Sequence, residues 1–130
     1  MNEIDVVKTI FGFYVVGDWK GAEALIHPEA EVFFPGDPAI LPWAGALKGS
    51  GIKKFFDAVK DELDFLEYTI SAFHHVGPVV VMQATERCRV RRTGRLVTND
   101  HMGIARVQDG LMVSYREYAD TAALHAGFSG

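Results

Sequence analysis

Three ionisable residues in the second half of the sequence, Glu86, His101 and Glu117, are of types that carry out proton transfer. Each lies in a segment in which polar and apolar residues alternate, the pattern of a strand with one buried face. In segment 81–91 several arginines occupy alternate positions, and turning them inward would desolvate their charges. Glu86 has the opposite parity and is therefore predicted to face the interior.

The next two strand-like segments extend this inward face. Arg106 is the poorest candidate for burial in segment 96–107, so His101, of opposite parity, is predicted to face inward. Tyr115 and Glu117 alternate with Arg116 and are placed inside by the same argument. Burial raises the pKa of a carboxyl group, and such groups persist when they are paired, hydrated or used in chemistry. We therefore expect a polar-walled pocket rather than a closed core.

Helices are predicted ahead of these strands. Apolar residues at helical spacing predict a first helix in EIDVVKTIFGFYVV that ends near Gly17. Asp18 is the predicted N-cap of a short second helix, WKGAEALIH, which Pro28 is expected to end. The segment AEVFFPGDP is predicted to be a strand that runs into a turn, followed by the loop GDPAILPWAGALKG. Ser50 is predicted to cap a third helix with an apolar stripe.

The second half predicts four strands, FLEYTISAFHH, VVVMQATERCRV, LVTNDHMGIARV and LMVSYREYA. The segments VGP, RTGR and QDG between them favour turns, so an antiparallel meander is expected. TAALHAGF is predicted to form a short C-terminal helix. Together these elements predict an α+β domain in which three N-terminal helices pack on a curved antiparallel sheet that encloses a pocket.

Length and composition restrict the class of protein. The 130 residues are 48% hydrophobic and 23% charged, which predicts one globular domain over 1–130. The net charge of -4 argues against a general binder of nucleic acid or membrane surfaces. Cys88 is the one cysteine, so no internal disulfide can form. The acidic beginning, MNEIDVVKTI, differs from a signal peptide, and we expect a cytoplasmic protein.

The order of elements resembles the cone-shaped NTF2-like fold over essentially the whole chain. More narrowly, FPGDPAILPWAGALKGSGIKKFFDAV and GIARVQDGLMVSYREYAD resemble two segments of the SnoaL-like branch. That branch contains polyketide cyclases and is related to ketosteroid isomerases and limonene epoxide hydrolases. The resemblance implies a ligand pocket inside the cone and a homodimer that forms through the outer face of the sheet.

Site residues carry over from the epoxide hydrolases and cyclases only in part. The water-activating carboxylate of the epoxide hydrolases aligns with Glu117, but Glu86 and Cys88 replace the inward partners on the strand that carries their Asp and Arg. In the cyclases a His and an Asp from the sheet serve proton transfer. The resemblance gives those parts to His101 and to either Glu117 or Asp120.

The resemblance to ketosteroid isomerases is weaker at the site. Their two oxyanion donors align with Ile10 and Gly103, which cannot supply a side-chain proton. Their catalytic base precedes a proline after the first strand, and Asp37 is locally similar. In the motif PGDP, however, Asp37 is more typical of a turn residue.

We expect a cofactor-independent enzyme that acts on a small apolar or polycyclic ligand by general acid/base chemistry, of isomerase, cyclase, dehydratase or hydrolase type. Glu117 is the expected base, His101 its partner or the general acid, and Glu86 a second polar contact. The expected wall of the pocket consists of five further side chains: Tyr14, Phe34, Trp43, Asn99 and Tyr115.

Two non-catalytic alternatives remain at this point: a module that binds a small molecule, and a dimeric adaptor whose cavity is filled by aromatic side chains. The arginines of RCRVRRTGR alternate onto the outer face, which favours a solvated surface or a dimer interface over nucleic acid. The spacing of histidines, cysteine and acidic residues predicts no metal site, and the absence of a glycine-rich phosphate loop predicts no nucleotide cofactor.

Overall fold

The computed structural model describes all residues 1–130. Four α-helices and six strands follow one another along the chain. Their bounds are α1 Glu3–Val15, α2 Trp19–Glu23, β1 Ile26–Phe34, β2 Gly45–Lys48, a 3-10 turn at Gly49–Ile52, α3 Lys53–Glu62, β3 Leu63–Val76, β4 Val79–Val90, β5 Leu96–Gln108, β6 Leu111–Ala119 and α4 Thr121–Gly127.

All six strands form one sheet in the order β2-β1-β6-β5-β4-β3. Strands β3 to β6 form the predicted antiparallel meander. The sheet as a whole is mixed, because β1 lies parallel to β6 while β2 pairs antiparallel with β1. A parallel partner is possible for β1 because α3 and the long strands separate it from β6 along the chain. The α+β class and the helix-covered sheet are confirmed.

The helices bury the apolar stripes seen in the sequence. In α1, Val7, Phe11 and Tyr14 are buried, and the helix ends at Val15, shortly before Gly17, which has a positive φ of 73°. Asn2 and Asp5 form a capping box at its N-terminus. The buried residues of all the helices join the inward residues of the sheet in one hydrophobic core. No helix is both long enough and apolar enough to cross a membrane.

Three local predictions were wrong. Pro28 lies inside β1 rather than at a helix end. The pairing of β1 with β6 is irregular between Ile26 and Glu31, so the missing N–H of Pro28 removes no hydrogen bond between these strands. Ser50 lies in the 3-10 turn, which has no side-chain cap. The predicted loop also contains β2, which pairs with the end of β1.

The predicted inward faces of the strands are confirmed. Burial alternates strictly along β5, and Asn99, His101 and Gly103 are on the buried side. In β4, Glu86 and Cys88 are buried, whereas Arg87 and Arg89 are exposed. This alternation places the candidate site on the face of the sheet that the helices cover.

Candidate functional site

The three predicted catalytic residues lie on neighbouring rows of the inner sheet face. Glu86 is opposite Asn99 on β5, and Gly103 of β5 is opposite Glu117 on β6. His101 lies in the row between them. Glu86 and His101 are only 5% and 7% exposed, and Glu117 is partly buried. The sheet therefore brings all three to one region of the interior.

Glu86 is held by an amide. The Nδ2 group of Asn99 donates a hydrogen bond to Glu86 Oε1 at 2.9 Å. Burial raises the pKa of Glu86 to about 7, and the bond from Asn99 opposes that rise because it stabilises the charged form. Glu86 can thus change its charge near neutral pH.

Glu117 is held by a phenol from its own strand. The hydroxyl of Tyr115 donates to Glu117 Oε1 at 3.0 Å. Burial, and then the charge of Glu86, raise the pKa of Glu117 to about 8. The Tyr115 ring has room because position 103 is glycine, where a Cβ atom would overlap the Tyr115 hydroxyl. Gly103, the position that the resemblance aligns with an oxyanion donor of the isomerases, thus creates space for Tyr115.

His101 bonds to Tyr68 rather than to a carboxyl group. Its Nδ1 atom lies 3.3 Å from the backbone oxygen of Asn99, which can only accept, so Nδ1 carries the proton. Nε2 is then an acceptor for the Tyr68 hydroxyl at 3.0 Å. Burial lowers the pKa of His101, which favours the same neutral form. The hydrogen bonds therefore assign His101 to Tyr68, not to Glu117 as its expected partner.

Tyr68 is a site residue that the sequence analysis missed. It lies opposite Glu86 on β3, and burial, followed by the charges of Glu86 and Glu117, raises its pKa. Simple alternation could not locate it, because β3 has register shifts between Phe65 and Glu67 and again farther along the strand. The one sequence signal for this site residue was the presence of a tyrosine, which can form a hydrogen bond, in the predicted strand FLEYTISAFHH.

Aromatic rings fill much of the predicted pocket. Phe34 stacks on Phe55 with ring centroids 3.6 Å apart, and Tyr14 packs edge-on against Tyr68 at 6.1 Å. A cavity of about 20 Å³ remains among apolar side chains that include Tyr14, Phe34 and Tyr115. Such a volume is about that of one water-sized probe. A larger ligand must displace some of these rings.

The other predicted wall residues have different surroundings. Trp43 is buried but packs against Phe128, with ring centroids 5.6 Å apart, after the C-terminal helix. Asn99 is buried between Glu86 and the backbone N–H of Asp120. Tyr14, Phe34 and Tyr115 belong to the aromatic cluster around the carboxyl groups, whereas Trp43 belongs to the packing of α4.

Asp37 and Asp120 have local structural contacts. Asp37 Oδ1 accepts the backbone N–H of Ala39, and its own N–H donates to His125. Asp120 caps α4, with its carboxylate accepting the N–H of Ala123 at 3.0 Å. These contacts are those of a turn and a helix cap.

The arginines of β4 and the following turn are largely paired. Arg91 forms a 2.7 Å ion pair with Asp64, and Arg92 pairs with Glu62. Arg87 approaches Glu67 at 3.5 Å. Acidic partners on this surface offset the positive charge that a nucleic-acid backbone would need.

Burial raises the pKa of the Cys88 thiol to about 12, which makes Cys88 a poor nucleophile.

Comparison with known proteins agrees with this architecture. The sequence profile described as a SnoaL-like domain matches residues 7–115. The chain is similar to an NTF2-like protein from Burkholderia xenovorans, with 25% identity, a TM-score of 0.84 and coverage of 98% of this chain and 95% of that one. An NTF2-like protein from Burkholderia pseudomallei has 20% identity, a TM-score of 0.87 and coverage of 100% and 99%.

TerC, a protein crystallised with polyporic acid, is similar at 23% identity, with a TM-score of 0.85 and coverage of 98% of both chains. No protein of curated function matches the sequence significantly. These structural likenesses establish a shared fold, and the reaction must be argued from the site itself.

Proposed function

The chain belongs to the SnoaL-like domain family, and on that basis we propose that it is a cofactor-independent enzyme that transfers protons on a small apolar or polycyclic ligand. One observation carries the proposal. Two carboxyl groups, Glu86 and Glu117, lie in the same aromatic interior and interact electrostatically, with pKa values of about 7 and 8. Groups that titrate near the working pH are the most efficient general acids and bases.

Glu117 is the proposed base. Its ionised form takes a proton from a carbon acid or from water, and its protonated form returns a proton to the product. Tyr115 holds one carboxylate oxygen, and no protein hydrogen bond reaches Oε2. Because each charge disfavours the other, the ionised state of Glu117 is favoured when Glu86 is protonated. The carboxyl pair can therefore accept or release a proton at neutral pH.

Tyr68 is the proposed hydrogen-bond donor to the ligand. Neutral His101 binds the Tyr68 hydroxyl at 3.0 Å and fixes its position beside the carboxyl groups. On this proposal His101 orients Tyr68 and does not itself exchange a proton with Glu117. The phenol has one proton, so on this proposal the Tyr68 hydroxyl turns that proton from His101 Nε2 to the ligand oxygen, where it stabilises developing negative charge.

The proposed entry route is a cleft of about 220 Å³ between the end of α1, α3 and the beginning of β3. Tyr14 and Phe65 line this cleft, and both rings also pack against Tyr68 in the interior. Displacing these two rings would connect the cleft to the carboxyl groups. The lining is hydrophobic apart from Gly17, Lys60, Asp64 and Arg91, which fits an aromatic or polycyclic ligand that carries polar substituents.

The test is deuterium incorporation from D2O into a panel of aromatic cyclic ketones, measured by mass spectrometry. This readout reports proton abstraction from carbon whatever the complete reaction is. Glu117→Gln is expected to reduce incorporation at least about 100-fold, the lower range for general acid/base catalysis. Glu67→Gln, an exposed glutamate on β3, is the matched control. Equal incorporation in the wild type and Glu117→Gln would remove Glu117 from the mechanism.

The ring-filled interior favours a second candidate, a non-catalytic module that binds a small molecule. Close stacking of Phe34 on Phe55 at 3.6 Å shows that aromatic surfaces fit there, and a flat ligand could replace one ring. Ketones that bind without exchanging deuterium would support this candidate. A dimeric adaptor, the other alternative, would bind none of them.

We propose in addition that the partner is a second copy of the chain, bound through the outer sheet face. Exposed apolar side chains lie there on β5 and β6: Met102, Ile104 and Tyr118. A cleft of about 640 Å³ on this face is lined by residues of β1, β2, β5 and β6 and by Val79 of β4. Apolar exposure of this kind on a sheet face is typical of an interface between proteins.

A further inference from the structure

Asn99 connects the buried Glu86 to the last helix. It is 1% exposed, and both ends of its amide are bonded. Nδ2 donates to Glu86 Oε1 at 2.9 Å, and Oδ1 accepts the backbone N–H of Asp120 at 2.9 Å. Glu86, Asn99 and Asp120 belong to β4, β5 and the start of α4, so one side chain joins three elements.

The Asp120 N–H determines which way the amide points. A backbone N–H can only donate, so the Asn99 oxygen must face Asp120. The NH2 group is then forced towards Glu86. A reversed amide would turn its oxygen towards the carboxylate and leave the Asp120 N–H facing a donor. The position of the α4 N-terminus therefore controls the donor that Glu86 receives.

Helix α4 is itself docked on the sheet. Asp120 caps it through the N–H of Ala123, and Leu124 is buried. Gly127 packs so closely on β5 that a Cβ atom there would overlap Val97. The hydroxyl of Thr93 also donates to the Gly127 carbonyl oxygen at 2.6 Å. The N-terminus of α4 is thus held in place by contacts along the helix.

We propose that Asn99 is a positioning residue that makes the docking of α4 and the ionised form of Glu86 mutually dependent. A docked α4 presents the Asn99 donor to Glu86, and a hydrogen bond to a carboxylate is strongest when the carboxylate is charged. By linkage, ionisation of Glu86 favours the docked helix to the same degree. The importance of this coupling for activity rests on the proposed function, but the coupling itself does not.

Other groups that act on Glu86 must be held constant in any test. His101 of β5 lies one row away from Glu86. The ionisable groups that interact with Glu86 come from α1, β3, β4 and β6. They are Tyr14, Tyr68, Cys88, Tyr115 and Glu117. Of these, only Glu117 titrates in the same range as Glu86, so the measurements are made with Glu117→Gln as the common background.

The experiment is a carboxyl 13C NMR titration of Glu86. Asp120→Pro removes the N–H of residue 120, and the native φ of -77° suits proline. Asp120→Ala is the matched control, because it also loses the helix cap but keeps the N–H. We expect the pKa of Glu86 to be about one unit higher in Asp120→Pro than in Asp120→Ala.

A second variant covers the case in which Asp120→Pro does not fold. Asn99→Leu has a similar volume and removes both hydrogen bonds, so it should raise the pKa of Glu86 by at least as much and accelerate amide exchange in α4. An unchanged pKa of Glu86 in the folded variants would overturn the proposal. Because the titration needs no substrate, this result is independent of whether the deuterium test succeeds.

Discussion

At the scale of single residues, the main feature is a pair of carboxyl groups where water is scarce. Glu86 and Glu117 each receive one neutral hydrogen bond, from Asn99 and Tyr115, and neither forms an ion pair. One neutral donor offsets only part of the cost of burying a charge. The pair therefore retains protons at a pH where exposed glutamates are ionised, which supports a role in proton transfer and lowers stability.

This cost predicts a pH dependence of stability. The ordinary glutamate pKa is 4.5, and the folded values are about 7 for Glu86 and about 8 for Glu117. Between these values the folded chain binds more protons than the unfolded chain, so stability falls as pH rises. From these two values we expect the free energy of unfolding to fall by on the order of 6 kcal/mol between pH 5 and 9.

Urea unfolding at several pH values measures this change. Glu117→Gln should flatten the dependence and be more stable than the wild type at pH 9, because it removes one buried charge. Glu67→Gln should keep the wild-type slope, since Glu67 is exposed. A wild-type stability that rises from pH 5 to pH 9 would contradict the assignment of two raised carboxyl pKa values.

At the scale of elements, the antiparallel pairing of β5 with β6 decides how the Glu117 side chain is held. Gly103 lies opposite Glu117, and the Tyr115 ring occupies the space that any larger side chain at position 103 would need. The ring packs on Phe11 at 5.3 Å, which fixes its plane from the helix side. Strand pairing and helix packing thus together fix the position of the Tyr115 hydroxyl.

Gly103→Ala tests that arrangement. The added methyl group overlaps Tyr115, so we expect a loss of about 1–3 kcal/mol in the free energy of unfolding, the usual cost of overpacking. Gly12→Ala is the control: Gly12 is exposed within α1 and its Cβ meets open space, so alanine should stabilise the helix by up to about 1 kcal/mol. Equal stability of Gly103→Ala and the wild type would show that Tyr115 is not confined by Gly103.

At the scale of the whole molecule, the sheet separates the two proposed sites. Its inner face carries the carboxyl pair, and its outer face presents apolar side chains, among them Ile104 and Tyr118, which are 39% and 53% exposed. Arg116 lies over the Phe33 ring at 4.2 Å on the same face, which orders part of that surface. An outer-face dimer would leave the proposed entry cleft at the end of α1 uncovered.

Sedimentation equilibrium tests the dimer. We expect a mass near twice the chain mass of 14.4 kDa, and Ile104→Glu should yield a monomer because it places a charge in the apolar interface. Val16→Glu is the control, since Val16 is 74% exposed at the end of α1, away from the sheet face. A monomeric wild type at tens of micromolar would refute this interface.

Some parts of the structure follow from local chemistry and were predicted in detail. The bounds of β4 and β6, the N-cap Asp18 and the helix end just before Gly17 depend on turn and capping preferences within a few residues. The prediction failed at Pro28 because β1 contains an irregular stretch that tolerates a missing N–H. A proline is typical both of a helix end and of an irregular strand, so the local sequence could not distinguish the two at Pro28.

The sequence by itself determined which faces of β4, β5 and β6 are buried, because side chains alternate with a period of two and the arginines of these strands cannot be desolvated. It thereby placed Glu86, His101 and Glu117 inside. Only the tertiary structure decided their partners, which are Asn99, Tyr68 and Tyr115. Those pairings depend on strand register, on the bulges of β3 and on the space at a glycine, and these arise when distant segments pack together.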